Sequence, residues 1–436
     1  MFYFSPENRL VIAACSPAPD SARLAQTIAS IENWEKACAK LIKKGVAPLF
    51  LEIAENNAEL LSLLPAEVIA KLRQAYLKTV SRSMLLYDAF GEVAAALNKA
   101  GIQAVALKGI YLAEHLYPKI GLRQFSDIDL LFRHEEVEKA LEVFYQLGFS
   151  MVKPAFGEAV TSVIESAHLP PLTRRGVSVE LHTRLHGPTQ PYLLPEREMA
   201  ERAERVLIHH QPFLAFGTTD LLIHLCLHLD KHFNGSHMQF YSWADIARLV
   251  ALRGHEIDGA QLWQRCRDYK AEKEVAKVLA MVQGLFEVQL PAEWKSQGVQ
   301  LPEKESLKGV KWSEAWSSPT VELPGTESLK KWPKKESASD ATFPIVPKNE
   351  LSPAALQQLE RHLDDKVSHE SGTQTHLFFI RKIKSPLGKL RYLREVLLPG
   401  KRLMLRSYPI KNEGLYWLWY PYRAWVGLKG FFWKRK

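Results

Sequence analysis

Apolar residues recur at helical spacing through the first hundred positions. The spacing predicts helices over Leu24 to Leu41, Leu49 to Leu64 and Pro65 to Ala100, because residues three and four apart share one helical face. Ala66 to Leu97, rich in Ala, Leu, Lys and Glu, predicts one or two long helices. Gly101 follows, in the position where a left-handed cap is commonest. The period then changes. Ile102 to Leu107 is a short apolar run that predicts a buried strand, and Ile110 to Tyr117 returns to helix until Pro118 stops it. A second strand is expected to run to about Phe132. The amphipathic stretch Glu135 to Leu147 follows, closed by Gly148, and Val177-Ser178-Val179-Glu180-Leu181-His182 alternates at period two. Alternating strands and helices describe a small α/β unit. From Pro195 to about Trp294 the pattern returns to helices, including Thr219 to Lys231 and Tyr241 to Leu252.

Beyond Lys295 periodicity is lost. Lys, Glu, Ser and Pro dominate as far as Gln374, where Glu305-Ser306-Leu307-Lys308 recurs as Glu327-Ser328-Leu329-Lys330. Two copies are too few for a solenoid, so the stretch reads as a flexible linker or insertion, interrupted by a short helix from Pro353 to Val367. Five regions result: helical 1–100, an α/β core 101–190, helical 191–295, the linker 296–375, and a C-terminal segment 376–436.

Composition narrows the class. A hydrophobic share of 47% and a charged share of 24% over 436 residues are those of a soluble globular protein. Cys15, Cys38, Cys226 and Cys266 are far apart and fit no zinc or redox spacing, which suits reduced thiols in a cytoplasmic protein. No apolar run approaches the roughly 18 residues of a spanning helix. Ile12-Ala13-Ala14-Cys15 has the look of a lipoprotein cleavage site, yet Glu7 and Arg9 interrupt the stretch before it and no basic start precedes an apolar core. The net charge of +9 is local: from His376 onward Glu395 and Glu413 are the only acids among many Lys and Arg. Tyr416, Trp417, Trp419, Tyr420, Tyr422, Trp425, Phe431, Phe432 and Trp433 accompany them. Such a mixture suits contact with a membrane surface, and less well single-stranded nucleic acid or a packed helix with a basic face.

The chemistry concentrates in two places, Leu107-Lys108-Gly109 and Arg123-Gln124-Phe125-Ser126-Asp127-Ile128-Asp129-Leu130-Leu131-Phe132. In a strand Asp127 and Asp129 project side by side while Ile128 and Leu130 face the other way. Carboxylates that close raise each other's pKa unless a cation lies between them, and Mg²⁺ takes such oxygen ligands. Glu180 sits mid-strand, where the plain reading is a solvent-facing residue on an edge strand. His182 shares its face, as a ligand-orienting or a structural residue. Lys108-Gly109 stands where a strand turns into a helix, a place where backbone N–H groups bind phosphate; the plainer reading is a surface lysine beside a turn. Arg123 is placed to bind phosphate or to pair with the carboxylates, and Ser126 to contact the ligand or to bond locally. His224, His228 and His232 fall on one helical face without a cysteine or motif carboxylate to complete a metal set, and read as core or cleft-lining histidines.

The order helix, strand, Lys-Gly, helix, loop, Asp-x-Asp strand resembles the polymerase-β-like nucleotidyltransferase superfamily. Leu107-Lys108-Gly109, Leu122-Arg123, Asp127-Ile128-Asp129-Leu130-Leu131, Val179-Glu180-Leu181-His182 and His224-Leu225-Cys226-Leu227-His228 resemble more closely the bacterial uncharacterised nucleotidyltransferase-5 family. The Lys-Gly departs from the superfamily's Gly-Gly or Gly-Ser turn. The resemblance implies an α+β fold with a small mixed sheet as the nucleotidyltransferase core, flanked by helical segments. It further implies two Mg²⁺ ions held by Asp127, Asp129 and Glu180, an NTP (ATP is expected) gripped by Lys108, Gly109, Arg123 and Ser126, and transfer of a nucleoside monophosphate to an unidentified acceptor. Surface polysaccharide synthesis is an associated role, and a peripheral seat at the inner membrane face would fit the tail. The rival expectation is a non-catalytic nucleotide-binding or scaffold protein at that membrane surface.

Overall fold

The helix that leads into the first strand, α6, is unbroken from Ala66 to Lys99. Gly101, at φ +69°, turns the chain out of it, and the amides of Gly101 and Ile102 bond back to the carbonyls of Asn98 and Leu97. This is the left-handed cap expected there. In this computed structural model the described residues are 4–151, 169–186, 190–234, 238–295, 353–365 and 413–422.

Five shorter helices precede α6: α1 Pro6–Cys15, α2 Ser21–Ala29, α3 Trp34–Lys43, α4 Ala47–Glu55 and α5 Ala58–Ser62. The two runs expected to be continuous are each split by a capping asparagine. Asn33 accepts from the Lys36 amide, and Asn57 from the amides of Glu59 and Leu60, satisfying N–H groups that have no intrahelical partner. Ile12 to Cys15 lies buried in α1, and all four cysteines are buried and free.

The sheet holds seven strands in the order β3-β4-β5-β2-β1-β7-β6. They are β1 Ala104–Leu107, β2 Ile128–Phe132, β3 Ser150–Met151, β4 Leu172–Arg174, β5 Val177–His182, β6 Glu204–Ile208 and β7 Gln211–Ala215. β1 runs antiparallel to β2 and parallel to β7, while β2 and β5 are parallel. The sheet is therefore mixed, and the fold is α+β. Helix α7 (Gly109–His115) joins β1 to the loop before β2, and α8 (Val137–Gln146) follows β2. Both central strands are buried along their whole length.

The expectation of helices throughout Pro195 to Trp294 is corrected by β6 and β7, which form a hairpin inside that stretch. His209 and His210 make the turn at φ +48° and +63°, the left-handed pair that a two-residue hairpin requires. The remainder is helical: α9 Glu196–Glu201, α10 Thr218–Phe233, α11 Tyr241–Arg253, α12 Gly259–Asp268 and α13 Glu272–Phe286. Trp243 of α11 is fully buried between Phe233 and Phe286, with ring centroids at 5.8 and 5.6 Å.

A further helix, α14 (Pro353–Leu363), interrupts the stretch expected to be a linker. Leu356, Leu359 and Leu363 are buried, and the His362 ring nitrogen Nε2 lies 2.8 Å from the Phe233 carbonyl at the end of α10. Lys40 and Lys44 of the N-terminal layer hold Asp364 and Asp365 at 3.1 and 2.7 Å. Of the basic aromatic segment, only 413–422 falls within the described residues, where Trp417 and Tyr422 are exposed; the remainder of 376–436 lies outside them. Among the described residues no helix is long and apolar enough to cross a membrane.

Candidate functional site

The alternation Val177, Val179, Leu181 on one face of β5 leaves Ser178, Glu180 and His182 on the other. Parallel pairing sets Glu180 opposite Asp129 and His182 opposite Leu131. Residues paired across strands share a face, so Asp129, Glu180 and His182 converge. Their ligand atoms all lie within 4.8 Å of one another. The His182 Nε2 is 2.8 Å from one Asp129 oxygen and 3.6 Å from a Glu180 oxygen. The other Asp129 oxygen takes the Lys108 ammonium at 3.1 Å. Asp127 sits one residue ahead of β2 rather than within it, half-buried, and lines the same cleft.

Burial alone would raise the Asp129 pKa, but the ammonium of Lys108 and the bond from His182 hold it far below the carboxylate range. Asp127 goes the other way. Burial and the charges of Asp129 and Glu180 push it up to about 6. His182 is raised despite burial, through its bonds to Asp129 and Glu180. Three acids thus face two basic groups, and Asp127 shows the uncompensated negative charge that a divalent cation relieves. The donor set, oxygen from carboxylates with an imidazole beside them, fits such an ion.

Lys108 carries the turn from β1 into α7 at φ 44°, ψ −115°. That region is sparsely populated by side-chain-bearing residues. Gly109, which the sequence singled out for the turn, is demanded by packing instead: a Cβ there would meet Arg123 Nη1 and the Phe125 Cβ at 2.9 Å each. Comparing Lys108→Gly with Lys108→Met isolates the backbone strain, since both remove the charge. The glycine variant is expected to be the more stable by about 1 kcal/mol in chemical denaturation.

Arg123 lines the cleft, but its guanidinium is committed to Asp245 of α11 rather than to Asp127 or Asp129. Nη2 lies 2.8 Å from one carboxylate oxygen and Nε 3.2 Å from the other. The Tyr117 hydroxyl donates to the same carboxylate at 2.7 Å, and the guanidinium stacks over Tyr241 at 4.7 Å. Asp245 was missed as a site-building residue. The signal available was an acid set among Trp243, Ile246, Ala247 and Val250 on an otherwise apolar helix face. Ser126 is exposed at the rim of the cleft, and its carbonyl accepts from Arg82.

The cleft encloses about 350 Å³. Alongside the groups from the sheet it is lined by His224, His228, Lys231 and His232 of α10, so the histidine face expected to line a core or cleft does line this one.

The α+β fold thus brings paired carboxylates on neighbouring strands to a lysine on the adjoining strand-to-helix turn. The profile of the uncharacterised nucleotidyltransferase family matches residues 30–287, more than half of the chain, and the protein belongs to that family. Among curated proteins none matches. The solution structure of the antibiotic-resistance factor ANT(2'')-Ia is similar over 43% of this chain and 93% of its own, at 9% identity and a TM-score of 0.30. That likeness is too slight for any residue to be carried over from it. The chain is thus a nucleotidyltransferase, and an NTP is the substrate that its family implies.

Proposed function

We propose that this protein transfers a nucleoside monophosphate from an NTP, ATP first among the candidates, to an acceptor, with Asp127, Asp129 and Glu180 as the ligands of one or two Mg²⁺ ions. The observation that carries this reading is the pairing of Glu180 with Asp129 on adjacent parallel strands, beside Lys108. Bound there, Mg²⁺ would supply charge neutralisation of the phosphates and a lowered pKa for an acceptor hydroxyl.

The chain's own residues do the rest. Asp129 is kept ionised by Lys108 and His182, so it is ready to ligate without first losing a proton. Lys108, now 3.1 Å from Asp129, supplies a point charge that can turn toward a phosphate once that carboxylate is otherwise neutralised. Gly109, at the start of α7, lines the cleft, and Ser126 offers a hydroxyl at the rim. Arg123 serves chiefly by fixing the loop before Asp127 against α11. Glu180 is placed to help deprotonate the acceptor. Catalysis of this kind is mostly positioning and electrostatic stabilisation.

The acceptor side of the reading is supported by composition alone. The basic aromatic segment suits a membrane surface, where surface-polysaccharide precursors are assembled, and a peripheral seat at the inner face is part of the proposal. The test is incubation of the full chain with Mg²⁺ and NTPs labelled at either the α- or γ-phosphorus, together with a membrane extract as acceptor source. The expected result is α-label joined to a new product while γ-label leaves as pyrophosphate. Transfer of γ-label to the product, or a protein that binds nucleotide without turnover under any of these conditions, would favour a pyrophosphoryl-transferring or a non-catalytic binding role.

A further inference from the structure

The cleft has a feature that metal binding does not use. His224, in the middle of α10, is 1% exposed, lines the cleft, and has no hydrogen-bond partner on either ring nitrogen among the described residues. A buried polar atom left without a partner is costly, so an imidazole with both nitrogens in that condition is incomplete until something enters beside it. Its ring neighbours do not complete it. Phe216 and His186 lie at centroid distances of 5.9 Å, and His228 at 6.1 Å.

The chemistry of the missing partner can be read from the imidazole. Burial, reinforced by the positive charges of Lys108 and His182, lowers the His224 pKa to about 3, and His228, which also lines the cleft, is lowered by burial and by the charges of Lys108, its neighbouring histidines and Lys231. Each ring is neutral at ordinary pH and presents one N–H donor and one bare nitrogen acceptor. A phosphate oxygen, which only accepts, would meet the donor and be repelled by the lone pair. A hydroxyl both donates and accepts, and satisfies either nitrogen. Two such rings one helical turn apart suit two adjacent hydroxyl groups. The phosphates belong beside Lys108, which supplies positive charge in the same cleft, and the next group along a nucleoside triphosphate is its ribose.

We propose that His224, with His228, binds the 2′- and 3′-hydroxyl groups of the nucleotide's ribose. This inference rests on the nucleotidyl-transfer reading above. It makes α10 the wall that distinguishes a ribonucleotide from a nucleotide lacking those hydroxyls.

The test is calorimetric titration of the full-length protein, with Ca²⁺ in place of Mg²⁺ to slow turnover. Each of the four ribonucleoside triphosphates is titrated first, then the 2′,3′-dideoxy analogue of the tightest. The dideoxy compound is expected to bind the wild type about tenfold more weakly, the loss of one or two such bonds. In His224→Phe the ribonucleotide should weaken by a similar factor while the dideoxy analogue changes less than about twofold, so the gap closes. His224→Gln, which keeps a donor and an acceptor, should retain part of the gap. Should His224→Phe fail to fold, His228→Phe at a half-buried position gives the same reading alongside the wild-type comparison. Equal binding of the two nucleotides by wild type, or an equal loss of both in the variant, overturns the ribose assignment and leaves nucleotide binding standing. Failure of all four ribonucleotides to bind overturns both readings together.

Discussion

Asp129→Asn is expected to lower nucleotidyl transfer by about a thousandfold or more, since metal-centred charge stabilisation contributes several kcal/mol to such reactions. The substitution keeps the shape and the ability to accept from His182 Nε2, which stands 2.8 Å away. It removes the one carboxylate that Lys108 and His182 both hold ionised. The measurement pairs transfer of α-label with Mn²⁺ binding followed by electron paramagnetic resonance. Activity and high-affinity Mn²⁺ binding should be lost together, with the thermal transition shifted by only a few degrees. An Asp129→Asn protein that still transfers label at a tenth of the wild-type rate would remove Asp129 from the reaction. Retained Mn²⁺ affinity with lost activity would move the metal to other residues.

The second large effect is on stability. Asp245→Ala is expected to destabilise the fold by about 3–5 kcal/mol, the usual penalty for stranding one half of a buried ion pair. Arg123 is 5% and Asp245 1% exposed, so the guanidinium loses its partner in a largely desolvated setting. The Tyr117 hydroxyl, 2.7 Å from Asp245, loses its acceptor as well. A double variant, Arg123→Met with Asp245→Leu, should recover most of the loss, because apolar groups of similar size replace a buried pair at little net change. Urea denaturation of the three proteins checks both statements. A loss below about 1 kcal/mol in Asp245→Ala would mean that the pair is hydrated and is not the strut described above.

What the sequence disclosed depends on how strongly each element repeats its period. Val177 to His182 alternates cleanly because one face is buried, and the strand was legible to the residue. The long α6 was legible for the same reason at helical spacing. The hairpin 204–215 was not. Its outer strand exposes Leu207 to 61%, the second strand carries Pro212, a residue that argues against a strand in sequence, and His209-His210 replaces the Asn-Gly or Asp-Gly pair that signals such a turn. Within the site, spacing singled out Asp127, Asp129 and the turn at Lys108, and the family resemblance pointed to Glu180. Spacing could not reveal that Arg123 bonds Asp245, a partner 122 positions away, nor that Gly109 answers to the bulk of Phe125. Those depend on how α11 lies over the sheet, which no local pattern encodes. The histidines of α10 were visible as a face, but their isolation from any partner is a property of the packed chain.

The hairpin also has a bearing on how the cleft works as a machine. β7 hydrogen-bonds in parallel to β1, at Val105 with Leu214 and Ala106 with Ala215, and α10 begins at Thr218, three residues after β7 ends. The floor bearing the carboxylates and the wall bearing His224 are therefore coupled through the two-residue link Phe216-Gly217. With so short a tether, the position of the wall over the floor is set in large part where the hairpin docks on β1.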